Sequence, residues 1–181
     1  LLQRCLTDSV NKSFNAISVD GDTSTNDACV LLATGQSKAG RITDGEPLEC
    51  FAAALDDVCT ELAQAIVRDG EGASKFVTIT VQQAADEDEA REVAYTVAHS
   101  PLVKTALFAS DPNWGRILAA VGRAKIESLD VDAVLIHLDD VCIVSDGGRA
   151  ETYTEEAGQA VMDQEEITIR ISLGRGDARA T

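Results

Sequence analysis

A chain of 181 residues, 45% of them hydrophobic, is long enough to bury one real core and short for two, so a single domain spanning 1–181 is expected. Fifteen basic residues against thirty-one acidic ones leave a formal charge of -16, which repels phosphate backbones and anionic lipid surfaces. Nucleic acid and membranes are therefore excluded as partners, and cationic ligands are favoured. No apolar run reaches the roughly twenty residues that cross a bilayer, and the first residues lack a signal-peptide pattern, so a soluble, cytoplasmic protein is expected.

Apolar residues at Leu2, Cys5, Leu6 and Val10 predict a helix over Leu1 to Ser13, after which Phe14 to Val19 alternates like a strand. Eight small or polar residues, Asp20 to Asp27, then form a loop before the apolar run Cys29 to Ala33, which reads as a second strand. The strongest helix signal runs from Pro47 to Arg68, with Leu48, Phe51, Leu55, Cys59, Leu62 and Ile66 on one stripe and Asp69-Gly70 as its stop. Lys75 to Gln83 alternates as a strand.

The acidic run Asp86 to Glu89 suits the positive end of a helix that continues through Val97 to the stop at Pro101, and it reads as a solvated cap. Trp114 to Val121 reads as a helix capped by Asp111 or Asn113. Strands follow over Val131 to Leu138 and Val141 to Val144, then a turn at Asp146-Gly147-Gly148, a helix over Thr154 to Met162 and a strand over Ile167 to Leu173. Because helices and strands mix without regular alternation, the expected fold class is α+β, with helices packed on mixed or antiparallel sheets.

The cysteines, Cys5, Cys29, Cys50, Cys59 and Cys142, are odd in number, scattered and free of C-x-x-C spacing, so no disulfide framework or zinc site is indicated and buried, inert thiols are expected. Cys50 and Cys59 fall on opposite faces of one helix, which rules out joint chelation. The Asp20 to Asp27 loop lacks the Gly and Glu that complete a calcium loop, and it reads first as a self-capped turn. No metal is expected. His99 and His137 have no nucleophile-elbow motif beside them, so a His-based triad is poorly supported.

Asp69-Gly70-Glu71-Gly72-Ala73-Ser74-Lys75 sets one carboxylate between two glycines where a helix gives way to a strand. Two readings stand: a helix-terminating turn with a solvated Glu71, or a functional carboxylate held at the edge of the core with Lys75 as a possible partner. The glycines do not form a phosphate loop, since Gly-x-x-x-x-Gly-Lys-Ser/Thr is not matched. Ser110-Asp111-Pro112-Asn113-Trp114-Gly115-Arg116 holds the only tryptophan and a helix start; capping and packing explain it first, and lining a pocket is the second reading.

Taken in order, Ser13-Phe14-Asn15 leading into the Asp20 to Asp27 loop, then Asp69 to Lys75, then Ser110 to Arg116, with Gly147-Gly148-Arg149-Ala150 and Tyr153-Thr154-Glu155-Glu156, closely resemble the β chain of ornithine acetyltransferase. The resemblance covers nearly the whole chain. It implies the layered fold of the self-cleaving, N-terminal-threonine enzymes and the bifunctional activity of arginine biosynthesis. Acetyl passes from N-acetylornithine to glutamate, leaving ornithine, and acetyl-CoA is a further acetyl donor in place of any bound cofactor.

The resemblance also implies an α chain cut from the same precursor, an oxyanion hole supplied by that chain, and an assembly of two α and two β chains. The nucleophile would be a threonine upstream of Leu1, whose own amine activates its hydroxyl, so this sequence holds no catalytic residue itself and residues 1–181 alone are expected to be inactive. A later C-terminal segment would return an Asn and a Thr or Ser to the pocket. Glu71 alone carries over as a substrate-binding residue; Ser74 stands where the family more often has Thr. Two other readings compete, an aminopeptidase or amidase with the same threonine architecture and a non-catalytic binding subunit.

Overall fold

The structure is a computed structural model that describes residues 1–38 and 40–181. Its residues group into two compact units, 1–71 and 72–181.

The first unit is built on two helices, α1 (Leu2–Lys12) and α2 (Gly45–Arg68), with a 3-10 turn at Phe14–Ala16 between them and, before α2, a long stretch whose described residues form no helix or strand. Cys5 and Ser9 of α1 and Cys59 and Ala63 of α2 form its buried seam. Asp56 ties the helices together, accepting from the Ser9 hydroxyl and, at 2.7 Å, from the Lys12 ammonium. Those two partners hold the Asp56 carboxyl below the usual carboxylate range.

Three expectations fail in this unit. Phe14 to Val19 and Cys29 to Ala33 form no strand; alternation marks residues able to pair, and pairing needs a second strand to satisfy the backbone. Leu62 and Ile66 of the expected core stripe are 54% and 52% exposed, because α1 covers only the Cys59–Ala63 line. Cys29 and Cys50 are also exposed rather than buried, while Cys5 and Cys59 are buried as expected.

The second unit is a six-stranded mixed sheet with helices on it. Its elements are β1 (Phe76–Ala84), α3 (Glu87–Ala98), α4 (Pro101–Phe108), α5 (Trp114–Gly122), β2 (Leu135–Leu138), β3 (Val141–Ser145), β4 (Gly148–Arg149), α6 (Glu155–Met162), β5 (Glu166–Ser172) and β6 (Ala178–Ala180). Strand order is β4-β3-β2-β5-β1-β6. Only β1 and β5 run parallel, in register from Phe76 opposite Glu166 to Gln82 opposite Ser172; every other pair is antiparallel. The expected α+β class with a mixed sheet is what forms.

Alternation decides which face is buried. Val81, Ile136, Leu138, Ile143, Ile167, Ile169 and Ile171 point into the core with Val93 and Val97 of α3, Ile117 and Val121 of α5 and Met162 of α6. Thr80, Arg170 and His137 lie in register on the opposite face. Asp86 caps α3, its carboxylate accepting from the Glu89 amide at 2.8 Å. Glu89 itself is not the solvated residue expected. It pairs with Arg175 at 3.0 Å, and that guanidinium also donates to the carbonyls of Glu127 and Ser128, clamping the chain after β5 onto the head of α3.

Ser100 and Pro101 start α4, a helix the sequence reading leaves unassigned. Of the strand expected from Val131, only Leu135–Leu138 forms, since Asp130 caps a 3-10 turn over Val131–Ala133.

Replacing Ile169, fully buried between β1 and β2, by Ala is expected to cost about 2–5 kcal/mol, the usual toll of deleting a buried aliphatic group from a closed core, read as a lowered chemical-denaturation midpoint. His137 gives a pH prediction. Burial and then the neighbouring Arg170 charge lower its pKa, with Asp140 opposing, so the unfolded chain takes up this proton first as pH falls. Stability linked to His137 is therefore complete above the ordinary value of 6.5 and is lost progressively below it. His137→Gln should flatten the fall in unfolding midpoint between about pH 7 and pH 5; an unchanged slope would show that this imidazole is not neutral in the fold.

Candidate functional site

The Asp69–Gly72 turn begins where α2 runs out. Asp69 is the C-cap residue, its amide returning to the Ala65 carbonyl at 3.0 Å, and the Gly70 amide returns to Val67 at 3.2 Å. Gly72 adopts φ +72°, a backbone region costly for any residue with a Cβ. Between them Glu71 stands exposed. This is the geometry of the solvated-turn reading, and it also leaves the carboxylate accessible to a cationic ligand.

Lys75 is not held for Glu71. Its ammonium donates to the Met162 carbonyl at 2.7 Å and the Gln164 carbonyl at 3.0 Å, closing off the C-terminal end of α6, where the helix dipole favours a cation. The lysine is thus a structural anchor at the start of β1.

The Asp20 to Asp27 loop is the self-capped turn expected from its composition. The Asp20 carboxylate accepts from the Asp22 amide at 2.7 Å and the Ser24 hydroxyl from the Asn26 amide at 3.4 Å, with every residue from 20 to 27 exposed. Among the described residues, no group of three or more His, Cys, Asp or Glu could hold a metal ion.

In the second unit, the Ser110 to Arg116 segment and the Gly147 to Glu156 segment come together. Ser110 takes φ +52° so that the Asp111 amide can reach back to Ala106 at 2.8 Å. Of the two cap candidates it is Asn113 that caps α5, accepting from the Arg116 amide at 3.1 Å, while Asp111 accepts from the Asn113 side-chain amide at 3.0 Å. Tyr153 is 3% exposed, its hydroxyl within reach of the Glu155 carboxylate at 3.2 Å and the Pro112 carbonyl at 3.4 Å. Burial first, and then the Glu155 charge, push the phenol up to about 12, so it stays a neutral donor throughout the physiological range.

Arg149 lies 5.2 Å over the Tyr153 ring and donates to the Tyr153 carbonyl at 3.0 Å. The Gln159 side-chain amide donates to the Ser110 carbonyl at 3.0 Å. A Cβ on Gly158 would strike both the Tyr153 hydroxyl and the Pro112 ring, so α6 can approach the Asp111-Pro112 turn only because that position is glycine. Capping and packing, the first reading of this motif, account for these contacts.

Arg116 closes the Ser110 to Arg116 motif, but the sequence reading gives it no role of its own. It donates to the Leu102 carbonyl at 3.2 Å and to the Thr105 hydroxyl at 3.1 Å, joining α5 to α4. No local signal points to it, because its partners lie on another helix. Of the two histidines, His137 sits on β2 and His99 caps the C-terminal end of α3, its ring centroid 5.3 Å from that of Tyr95.

The sequence model of the ArgJ family matches residues 1–181. Among curated proteins, the arginine biosynthesis bifunctional protein ArgJ of Pseudomonas syringae is 60% identical over the whole of this chain and 45% of its own length. The Methylococcus capsulatus protein of the same name is 62% identical over 99% of this chain and 44% of its own. The chain therefore spans a little under half the length of the curated relatives it matches. A crystal structure of the Bacillus halodurans protein of that name superimposes with a TM-score of 0.92 at 35% identity, over 99% of this chain and 84% of that one. With its full described length matched by the family, the chain belongs to the ArgJ family.

Proposed function

We propose that this chain is the greater part of the β chain of a self-cleaved acetyltransferase of arginine biosynthesis, transferring acetyl from N-acetylornithine to glutamate. The observation that carries this reading is the family match along all 181 residues, at about 60% identity to proteins named for a bifunctional role in that pathway. The lengths support a precursor divided in two. The curated relatives are more than twice as long as this chain, whereas the matching Bacillus halodurans chain is only modestly longer.

In this reading the nucleophile is a threonine in the part of the protein that the chain does not match. Its hydroxyl oxygen bonds to the acetyl carbon of N-acetylornithine, its own amine takes the hydroxyl proton, and the amide C–N bond breaks to release ornithine with that proton. The glutamate amine then attacks the acetyl ester, the threonine oxygen leaves and is reprotonated, and N-acetylglutamate departs. Acetyl-CoA would load the same oxygen by thioester exchange. The α chain from the same precursor completes the site, in an assembly of two α and two β chains in the cytoplasm.

Glu71 is assigned to hold substrate. Its carboxylate is exposed on a turn that Gly72 makes sharp, and charge-assisted pairing suits the ammonium groups of ornithine. Replacing Glu71 by Gln in the two-chain enzyme should lower kcat/KM for N-acetylornithine about 10–100-fold, the loss of one hydrogen bond to a charged group, with the effect mainly in KM. The assay follows N-acetylglutamate and free acetate separately. Release of acetate without N-acetylglutamate would make the protein a hydrolase, and unchanged kinetics would leave Glu71 as a plain turn residue.

A further inference from the structure

Glu71 lies on a short link between two fixed points. Upstream, the end of α2 is closed by the Asp69 amide on the Ala65 carbonyl and the Gly70 amide on that of Val67. Downstream, the first side chain that is held is Lys75, on the Met162 carbonyl at 2.7 Å and the Gln164 carbonyl at 3.0 Å. The Phe76 amide follows at once, donating to the Glu165 carbonyl at 2.8 Å. Between the two points every residue from Glu71 to Ser74 is exposed, and among the described residues none of their side chains makes a hydrogen bond or ion pair. A Cβ on Gly72 would meet nothing within 4 Å, so packing does not steady the link there either.

The direction in which Glu71 is presented therefore depends on its two ends. A carboxylate that must be ordered anew at each encounter loses affinity, because the ordering is subtracted from the binding energy. A displacement of about 1 Å in a group that positions substrate can cost about 100-fold in rate. The Lys75 charge by itself acts the other way, since an ammonium four residues from Glu71 repels a cationic ligand. Removing it through charge alone would tighten binding, whereas removing an anchor would weaken it. The sign of the effect separates the two.

We infer that Lys75 is a positioning residue for the acetyl transfer: seated on the last carbonyls of α6, it fixes the downstream end of the Glu71–Ser74 link and so holds the Glu71 carboxylate for the substrate ammonium. The inference rests on the assignment of Glu71 made above. Lys75 itself touches no substrate and acts only through the backbone that joins it to Glu71.

The test uses the full-length ArgJ protein containing this sequence, as Lys75→Met, Lys75→Arg, Glu71→Gln and the Lys75→Met, Glu71→Gln double variant. Ornithine affinity and the kinetics with N-acetylornithine are measured for each. Lys75→Met should weaken ornithine binding and raise KM about 10-fold while kcat changes by less than about two-fold. Lys75→Arg, whose guanidinium can donate to both carbonyls, should recover most of that loss. In the Glu71→Gln background Lys75→Met should add almost nothing, because the carboxylate it positions is gone; a loss from general loosening of the fold would multiply through instead. If Lys75→Met does not fold, Lys75→Gln, which keeps one donor group, takes its place in the cycle.

Unchanged or tighter binding in Lys75→Met, a loss in Lys75→Arg as deep as in Lys75→Met, or equal losses in both backgrounds would each overturn the inference. Unmodified protein that binds ornithine yet forms no N-acetylglutamate defeats the transferase reading, while the affinity cycle still decides the role of Lys75. Unmodified protein that binds no ornithine removes the ligand from Glu71 and the inference with it.

Discussion

The Lys75 ammonium, set on the carbonyls of Met162 and Gln164, fixes where the parallel pair β1–β5 begins. One residue on, the Phe76 amide donates to the Glu165 carbonyl at 2.8 Å, and the register then runs unbroken to Gln82 opposite Ser172. A parallel pair cannot be closed by a tight turn, and here α3 to α6 and β2 to β4 all lie between its two strands. A shift of one residue would turn Ile167, Ile169 and Ile171 out of the core. The side chain that the sequence offered as a partner for Glu71 thus serves the sheet.

The rest of the second unit follows from that register. With β5 placed, β2 pairs against its other edge, and the Asp139 carboxylate at the β2–β3 turn accepts from the Thr168 amide at 2.8 Å while its carbonyl accepts from Arg170 at 2.9 Å. Beyond β5, Arg175 reaches Glu89 and brings the chain back to pair β6 with β1. Charged side chains at both ends of β5 therefore act as clamps. Each is satisfied by backbone carbonyls or a carboxylate, which is what makes a partly buried cation tolerable.

The first unit shows the opposite condition. Its helices share a narrow seam of small residues, Cys5, Ser9, Cys59 and Ala63, and its larger apolar side chains, Val30, Leu32, Leu62 and Ile66, face outward.

Local patterns were legible from the residues alone: the period of α2, the alternation of β1 and β5, the turn after β3, and the ordered motifs that identify the family. These depend on spacing of side chains along one segment, and that information travels with the segment. What only the tertiary structure decided was every pairing at a distance. Glu89 leaves solvent for Arg175, and Lys75 turns to α6 and not to Glu71. The reason is the same in each case. A hydrogen bond or ion pair forms with whichever group folding brings within reach, and residues eighty or more positions apart leave no mark of their meeting in either local sequence.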